Sequence, residues 1–232
     1  MYVKKIVCLA NSRKTAGRCI AGKELDRDMD FGDWIRPVSD RPTQEVSEEE
    51  RRYENGADPQ LLDIISVPLL EHQPHAHQSE NHLIDDSHYW TKRGKANWAA
   101  LQAAIDDDAE TLWGTDSSSY YGMNDRIPEQ SAPQYQSSLM LIEPTNFEIV
   151  VAVEGREFNN PRRKVRATFD WKGTSYTLPV TDPVIERQYL AGDTGTFPLE
   201  DVLVCVSLGE PHTDHYCYKF CAAIITPERA GR

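Results

Sequence analysis

Residues Ser12–Val38 read SRKTAGRCIAGKELDRDMDFGDWIRPV, and two features of this stretch set the reading of the whole chain. A basic Ser12-Arg13-Lys14 corner stands between two strand-like runs, and Trp34 and Arg36 follow two residues apart. Residues two apart in a strand share one face, so this pair would present an aromatic plate and a guanidinium side by side. Such a pair suits a nucleobase and a phosphate. It suits equally an ordinary sheet edge on which Trp packs and Arg lies over it.

Upstream of the stretch, Tyr2–Ala10 is rich in β-formers and ends at Asn11 and Ser12, whose side chains favour turns. Within it, Arg18–Leu25 pairs back as the second arm of a hairpin, and Trp34–Val38, opened by Gly32 and ended by Pro37, is a third strand. Three short antiparallel strands at close spacing begin a small barrel. Downstream, Ser47-Glu48-Glu49-Glu50 has the form of a capped helix start, and Leu61–Leu70 is a further strand. The polar segment His72–His88 reads as a long loop or a short strand with flanks. Trp98, Leu101 and Ile105 predict an amphipathic helix over Asn97–Asp107, and Ser117–Gln134 reads as a long exposed loop, functional or disordered.

From Ser137 the chain turns strongly β, with strands expected at Leu139–Ile142, Phe147–Val153, Lys164–Trp171, Tyr176–Val180, Val202–Leu208 and His215–Ile225. Lys172-Gly173 marks a hairpin turn, and Asp182-Pro183 opens a helix over Val184–Leu190. The fold class is therefore mostly β with a few short helices, as two OB-like small barrels. The expected domains are 1–143, an N-terminal barrel with an inserted loop and helix, and 144–232, with the boundary at the composition shift near Pro144.

The 232 residues are 39% hydrophobic and 9% aromatic, which is a folding composition. The apolar run Ile6–Ala10 is too short for a signal-peptide core, and no stretch reaches the roughly 18 apolar residues of a membrane span, so a cytoplasmic, non-membrane protein is expected. Cys8, Cys19, Cys205, Cys217 and Cys221 lie inside apolar runs and read as buried free thiols. A net charge of −12 excludes coating of nucleic acid by bulk attraction. Basic residues nonetheless gather locally, so any phosphate binding would be selective and salt-dependent.

No catalytic signature appears: there is no Gly-x-Ser-x-Gly elbow, Walker loop or His-Glu-x-x-His helix. His72, His75, His77, His82 and His88 raise the question of a metal, but no acidic or cysteine partner stands at a zinc-site spacing. His215, Cys217 and Cys221 share a strand face, but the two cysteines would lie ~13 Å apart along it, too far to grip one ion. Asp85-Asp86 and Asp106-Asp107-Asp108 do not converge on a helix. No catalytic residue, metal or cofactor is assigned, and binding is favoured over catalysis.

Three basic-aromatic groups suit a single strand held in a barrel groove: Arg13, Lys14, Arg18, Trp34 and Arg36; Tyr89, Trp90, Lys92, Arg93 and Lys95; and Arg162, Arg163, Lys164, Arg166, Trp171 and Lys172. Trp34 and Trp90 would stack bases while the cations neutralise phosphates. The expected partner is a single-stranded or structured nucleic acid, DNA or RNA. Two alternatives stay open: a protein-interaction or nucleotide-sensing module without catalysis, and a metal-dependent hydrolase using the His72–His88 segment.

CLANSRK-x-x-GRCIAG at Cys8–Gly22, GDWIRPVS at Gly32–Ser39, EVSEEERRYENG at Glu45–Gly56, the LLDIISVPL that follows and VCVSLGEP near the C-terminus together resemble the bacterial dual OB-containing domain family. The resemblance spans most of the chain and is most distinctive in its N-terminal part. It implies two OB-like barrels and nucleic-acid binding in bacterial conflict or defence systems, and it carries over no catalytic or binding residue.

Overall fold

In the computed structural model β1 (Tyr2–Lys14) is long because its run Ile6–Ala10 is buried on both sides of the strand. The model describes residues 1–115 and 117–231. β1 continues through Asn11 and Ser12, beyond the expected end, because a register shift between Cys8 and Ala10 bends it and lets pairing with β2 (Gly17–Leu25) resume at Ala10↔Ala21. The turn falls at Thr15-Ala16, with Thr15 at φ 44°. Gly22 sits opposite Cys8, where an added Cβ would come within 2.0 Å of the Val7 carbonyl oxygen, so the two strands meet closely only because the side chain is missing.

β2 pairs with β3 (Phe31–Val38). The helix α1 (Glu48–Arg51) follows, closed by a capping box between Ser47 and Glu50. β4 (Asp63–His72) lies antiparallel to β1, and β5 (Asn81–Ile84) runs parallel to β3 and antiparallel to β4. The hydrogen-bonded order β1-β2-β3-β5-β4 therefore returns to β1 and closes a ring, while β6 (Thr91–Lys95) adds to β4. Ile6, Cys8, Ile20, Ile35, Val67, Leu69 and Trp90 fill it. This is the OB topology, with the helix between the third and fourth strands.

The second unit repeats it. After β7 (Arg126–Pro128) and β8 (Leu139–Ile142), the barrel strands are β9 (Thr145–Glu154), β10 (Arg162–Trp171) and β11 (Thr174–Pro179). They are followed by α2 (Pro183–Ala191), β12 (Gly195–Pro198), β13 (Leu203–Pro211) and β14 (Tyr216–Ile225). One sheet has the order β11-β10-β9-β12 and the other β7-β14-β13-β8. A parallel bridge between Val180, just after β11, and Cys221 of β14 joins the two sheets, as the parallel β3–β5 pairing does in the first unit. Asp182 fixes this corner: Oδ1 accepts from the Val184 and Ile185 amides at the start of α2, and Oδ2 from the Ile224 amide of β14.

The first compact unit comprises Met1–Ile105, Gln136–Ser138 and the C-terminal segment from Pro227; the second comprises Asp106–Tyr135 and Leu139–Thr226. The sequence reading divides the chain at 143/144, whereas these units meet along the chain at Ile105/Asp106. Asp106 exchanges backbone and carboxylate hydrogen bonds with Leu141 at 2.8 Å, and the Leu112 amide donates to the Tyr176 hydroxyl, which fastens this run to the second barrel. The expected helix over Asn97–Asp107 is a 3₁₀ turn at Ala99–Ala104, in which Trp98, Leu101 and Ala104 are buried at the three-residue spacing of that turn.

Candidate nucleic-acid interface

Trp34 and Arg36 do share a face of β3, since Ile35 between them enters the core. That face is covered. Trp34 is 8% exposed, with Lys23 Nζ 5.6 Å from the ring centroid across the β2–β3 pair. Arg36 is 3% exposed and ion-paired with Glu80 at 3.0 Å. It also donates to Ser138 Oγ at 2.8 Å and Asn81 Oδ1 at 3.3 Å, and the Ser138 hydroxyl donates in turn to Glu80. The expectation of a stacking plate and a phosphate cation here is corrected: Lys23 lies over Trp34, and residues far away in sequence, Glu80, Asn81 and Ser138, close over Arg36. Trp90 is corrected likewise, being 1% exposed in the barrel core. A base stacks only on a ring face that solvent reaches.

Lys92 pairs with the buried Asp63 carboxylate at 2.6 Å, and Arg93 Nε donates to Ser66 Oγ at 2.9 Å, so both tie β6 to β4. Arg13 is exposed, while Lys14 and Arg18 are half-buried around the β1–β2 turn. A hydrogen bond from Thr43 holds the Glu45 carboxyl below the usual range, with Arg41 and Lys14 adding to it, so part of this basic corner is matched by acid. Among the described residues, no group of three or more His, Cys, Asp or Glu side chains is placed to hold a metal ion. Within the histidine segment, His82 packs against His72 at 4.8 Å and bonds the Tyr2 hydroxyl at 2.6 Å. Burial first, and then the charge of His72, lowers the His82 pKa to about 4.

The second barrel presents a different face. In β10, Val165, Ala167, Phe169 and Trp171 fill the core, so Arg162, Lys164, Arg166 and Thr168 point outward. Arg166 forks onto Glu154 at 2.7 and 3.1 Å, and Arg163 donates to the Gly192 carbonyl at 2.5 Å. Among the described residues, the Arg162 side chain bonds only the Asn160 side chain, at 3.1 Å. Lys164 and Arg156 are exposed, and among the described residues neither side chain meets a hydrogen-bond or ion-pair partner.

Beside this row stands the segment 117–126, expected as a loop and found to be tightly bonded. Asp125, itself buried, accepts from the Ser119 amide at 2.7 Å and the Ser119 hydroxyl at 2.5 Å. Ser118 Oγ accepts from the Asn124 amide, and Met123 exchanges backbone bonds with Thr177 of β11. Gly122 is needed there, because an added Cβ would fall 1.8 Å from Asp125 Oδ2. The product of this bonding is an exposed aromatic step. Tyr120, 73% exposed, meets Tyr121 edge-on at 4.8 Å and Phe158, 64% exposed, at 5.7 Å with the rings 72° apart.

Phe158 comes from the β9–β10 turn, which Tyr121 staples: its hydroxyl accepts from the Gly155 amide at 2.7 Å and donates to the Glu157 carboxylate. That bond holds the Glu157 carboxyl below its usual range, and burial together with Glu157 raises the Tyr121 phenol. The Arg166 guanidinium lies 5.9 Å from the Tyr121 ring centroid.

The model of the dual OB-containing domain family matches residues 4–224. The chain belongs to that family. No curated protein and no solved structure matches it. In this dual OB-containing domain the expected cations Arg162 and Lys164 share the outward face of β10 with Arg166, which meets Tyr121, whereas Trp34, Arg36 and Trp90 are interior. The sequence reading placed Arg166 in its third basic-aromatic group but missed Tyr120, Tyr121 and Phe158. One signal was available: Tyr120-Tyr121-Gly122 lies in a polar run with almost no aliphatic residues, so those rings had no local core to fill.

Proposed function

We propose that the protein binds nucleic acid, single-stranded or locally unpaired, on the outer face of β10 and β11. The observation that carries the reading is the exposed Tyr120–Phe158 step, joined through Tyr121 to Arg166 on the β10 face that also carries Arg162 and Lys164, with Arg156 exposed in the same turn as Phe158. OB barrels bind oligonucleotides on the face of their second and third strands, flanked by the loop between the first two, and β10, β11 and the β9–β10 turn hold those places here. Aromatic plates supply sequence-tolerant stacking, and neighbouring cations follow the backbone. On a chain of net charge −12 this cluster makes binding local and salt-sensitive. The bacterial defence setting that the family resemblance implies, and a cytoplasmic location, are the surroundings we propose for it.

The test is fluorescence anisotropy with labelled single-stranded DNA, single-stranded RNA and duplex at two salt concentrations. Tyr120→Ala and Phe158→Ala should each weaken single-strand binding by about 1–3 kcal/mol. Lys164→Ala should lower the slope of log affinity against log salt by about 0.7, the value of one phosphate contact on a single strand. Absence of binding to all three probes at low salt would overturn the reading.

A further inference from the structure

From the angle of the aromatic step we infer that the strand bound there is an unstacked, pyrimidine-rich one. The inference rests on the binding reading above and adds the class of ligand. Tyr120 and Phe158 stand edge to face, 72° apart, with centroids separated by 5.7 Å. Two bases that each stack on one of these rings are therefore turned by a similar angle to each other. Neighbouring bases in A-form or B-form helices, and in stacked single strands, are nearly parallel. Such a strand must lose its own base stacking before it occupies both rings.

The step does not yield in its place. Tyr120 is carried by the segment that Asp125 and Gly122 hold, and Phe158 by the turn stapled through Tyr121 to Gly155 and Glu157. The centroid separation also leaves no slot in which one base would slide between the rings, since a sandwiched base needs about 7 Å, two ordinary contact distances. The cost of fitting thus falls on the ligand. It is smallest for pyrimidine runs, whose bases stack weakly, and largest for adenine runs; preferences of this origin come from stacking strength and backbone flexibility rather than from hydrogen bonds to base edges. The outward cations Arg156, Arg162 and Lys164 contact phosphates common to every sequence and leave that preference unchanged.

The experiment compares labelled oligo(dT) and oligo(dA) of equal length, with a mixed duplex, in the same salt. Oligo(dT) is expected to bind about 5-fold or more tighter than oligo(dA), with the duplex weakest. In the Tyr120→Ala, Phe158→Ala double variant, the residual binding to oligo(dT) and oligo(dA) should become equal within about twofold. Lys164→Ala should weaken both probes by the same factor and keep the preference. Folding of each variant is followed by thermal melting. Equal affinities for the two probes in the unaltered protein, or a preference that survives the double variant, would overturn the inference while leaving nucleic-acid binding standing. No binding to any probe would overturn both.

Discussion

The two barrels share one strand order and differ in what covers the corresponding outer face. In the first, the aromatic and basic side chains of β3 are roofed: Lys23 lies over Trp34, and Glu80, Asn81 and Ser138 enclose Arg36. In the second, β10 keeps its cations outward and the 117–126 segment sets rings beside them without covering them. An aromatic and a cation on one strand face are therefore not yet a site. The side chains that come to lie above them decide whether they hold the protein together or meet a ligand.

The largest expected effect breaks the roof. Glu80→Ala leaves the Arg36 guanidinium buried without its carboxylate, which should cost about 3–5 kcal/mol of stability, read by urea unfolding, with the affinity of the remaining folded protein for oligonucleotides unchanged. A loss of affinity in folded Glu80→Ala would make the first barrel a second site and dissolve the contrast. Next in size is a pH effect confined to the first barrel. His82 has a folded pKa of about 4, lowered by burial and by His72 and Lys4, with Glu24 and Glu80 opposing. Above its ordinary value both states are neutral and nothing is lost; as pH falls, the unfolded chain takes up the proton first. Stability should therefore drop between about pH 6.5 and 4, by about 2–3 kcal/mol at the lower end. His82→Gln should flatten thermal melting over that window.

The smallest effect sharpens the contrast from the other side. Tyr121→Phe keeps the ring and removes the hydroxyl that bonds Gly155 and Glu157, so oligonucleotide affinity should fall a few-fold while the melting temperature barely moves. Glu157 is held ionised by the same bond, so its contribution is present above the ordinary glutamate range and lost as pH falls through its lowered value. The unaltered protein should therefore lose the Tyr121-dependent part of its affinity only below the ordinary glutamate range. An affinity difference that persists far below that range would detach Glu157 from the step.

Much of the fold was legible because it depends on neighbours in sequence. The Lys172-Gly173 turn, the Ser47 capping box, the Asp182-Pro183 helix start and the alternation of Val165, Ala167, Phe169 and Trp171 appear where the local pattern puts them. The 97–107 helix failed on a local ambiguity, since Trp98 and Leu101 fit a three-residue repeat as well as a helical one. The site was legible only in part, because exposure is a long-range property. Nothing near Arg36 in sequence announces Ser138, 102 residues away, and nothing near Tyr120 announces Phe158. The cations of β10 were found because that strand is outward on one face whatever else the chain does; the rings beside them required the pairing of Met123 with Thr177.

The return of Gln136–Ser138 to the first barrel has a consequence for inheritance and for protein engineering alike. A gene fragment ending at Ile105 encodes all six strands of that barrel yet omits the hydroxyl that both Arg36 and Glu80 bond. The coding sequence for the first barrel is thus interrupted by that of the second, as a sentence is by a parenthesis. Recombination that transplants the leading cassette alone delivers an incomplete product, so the pair is expected to be copied, fused to other genes and lost as one block.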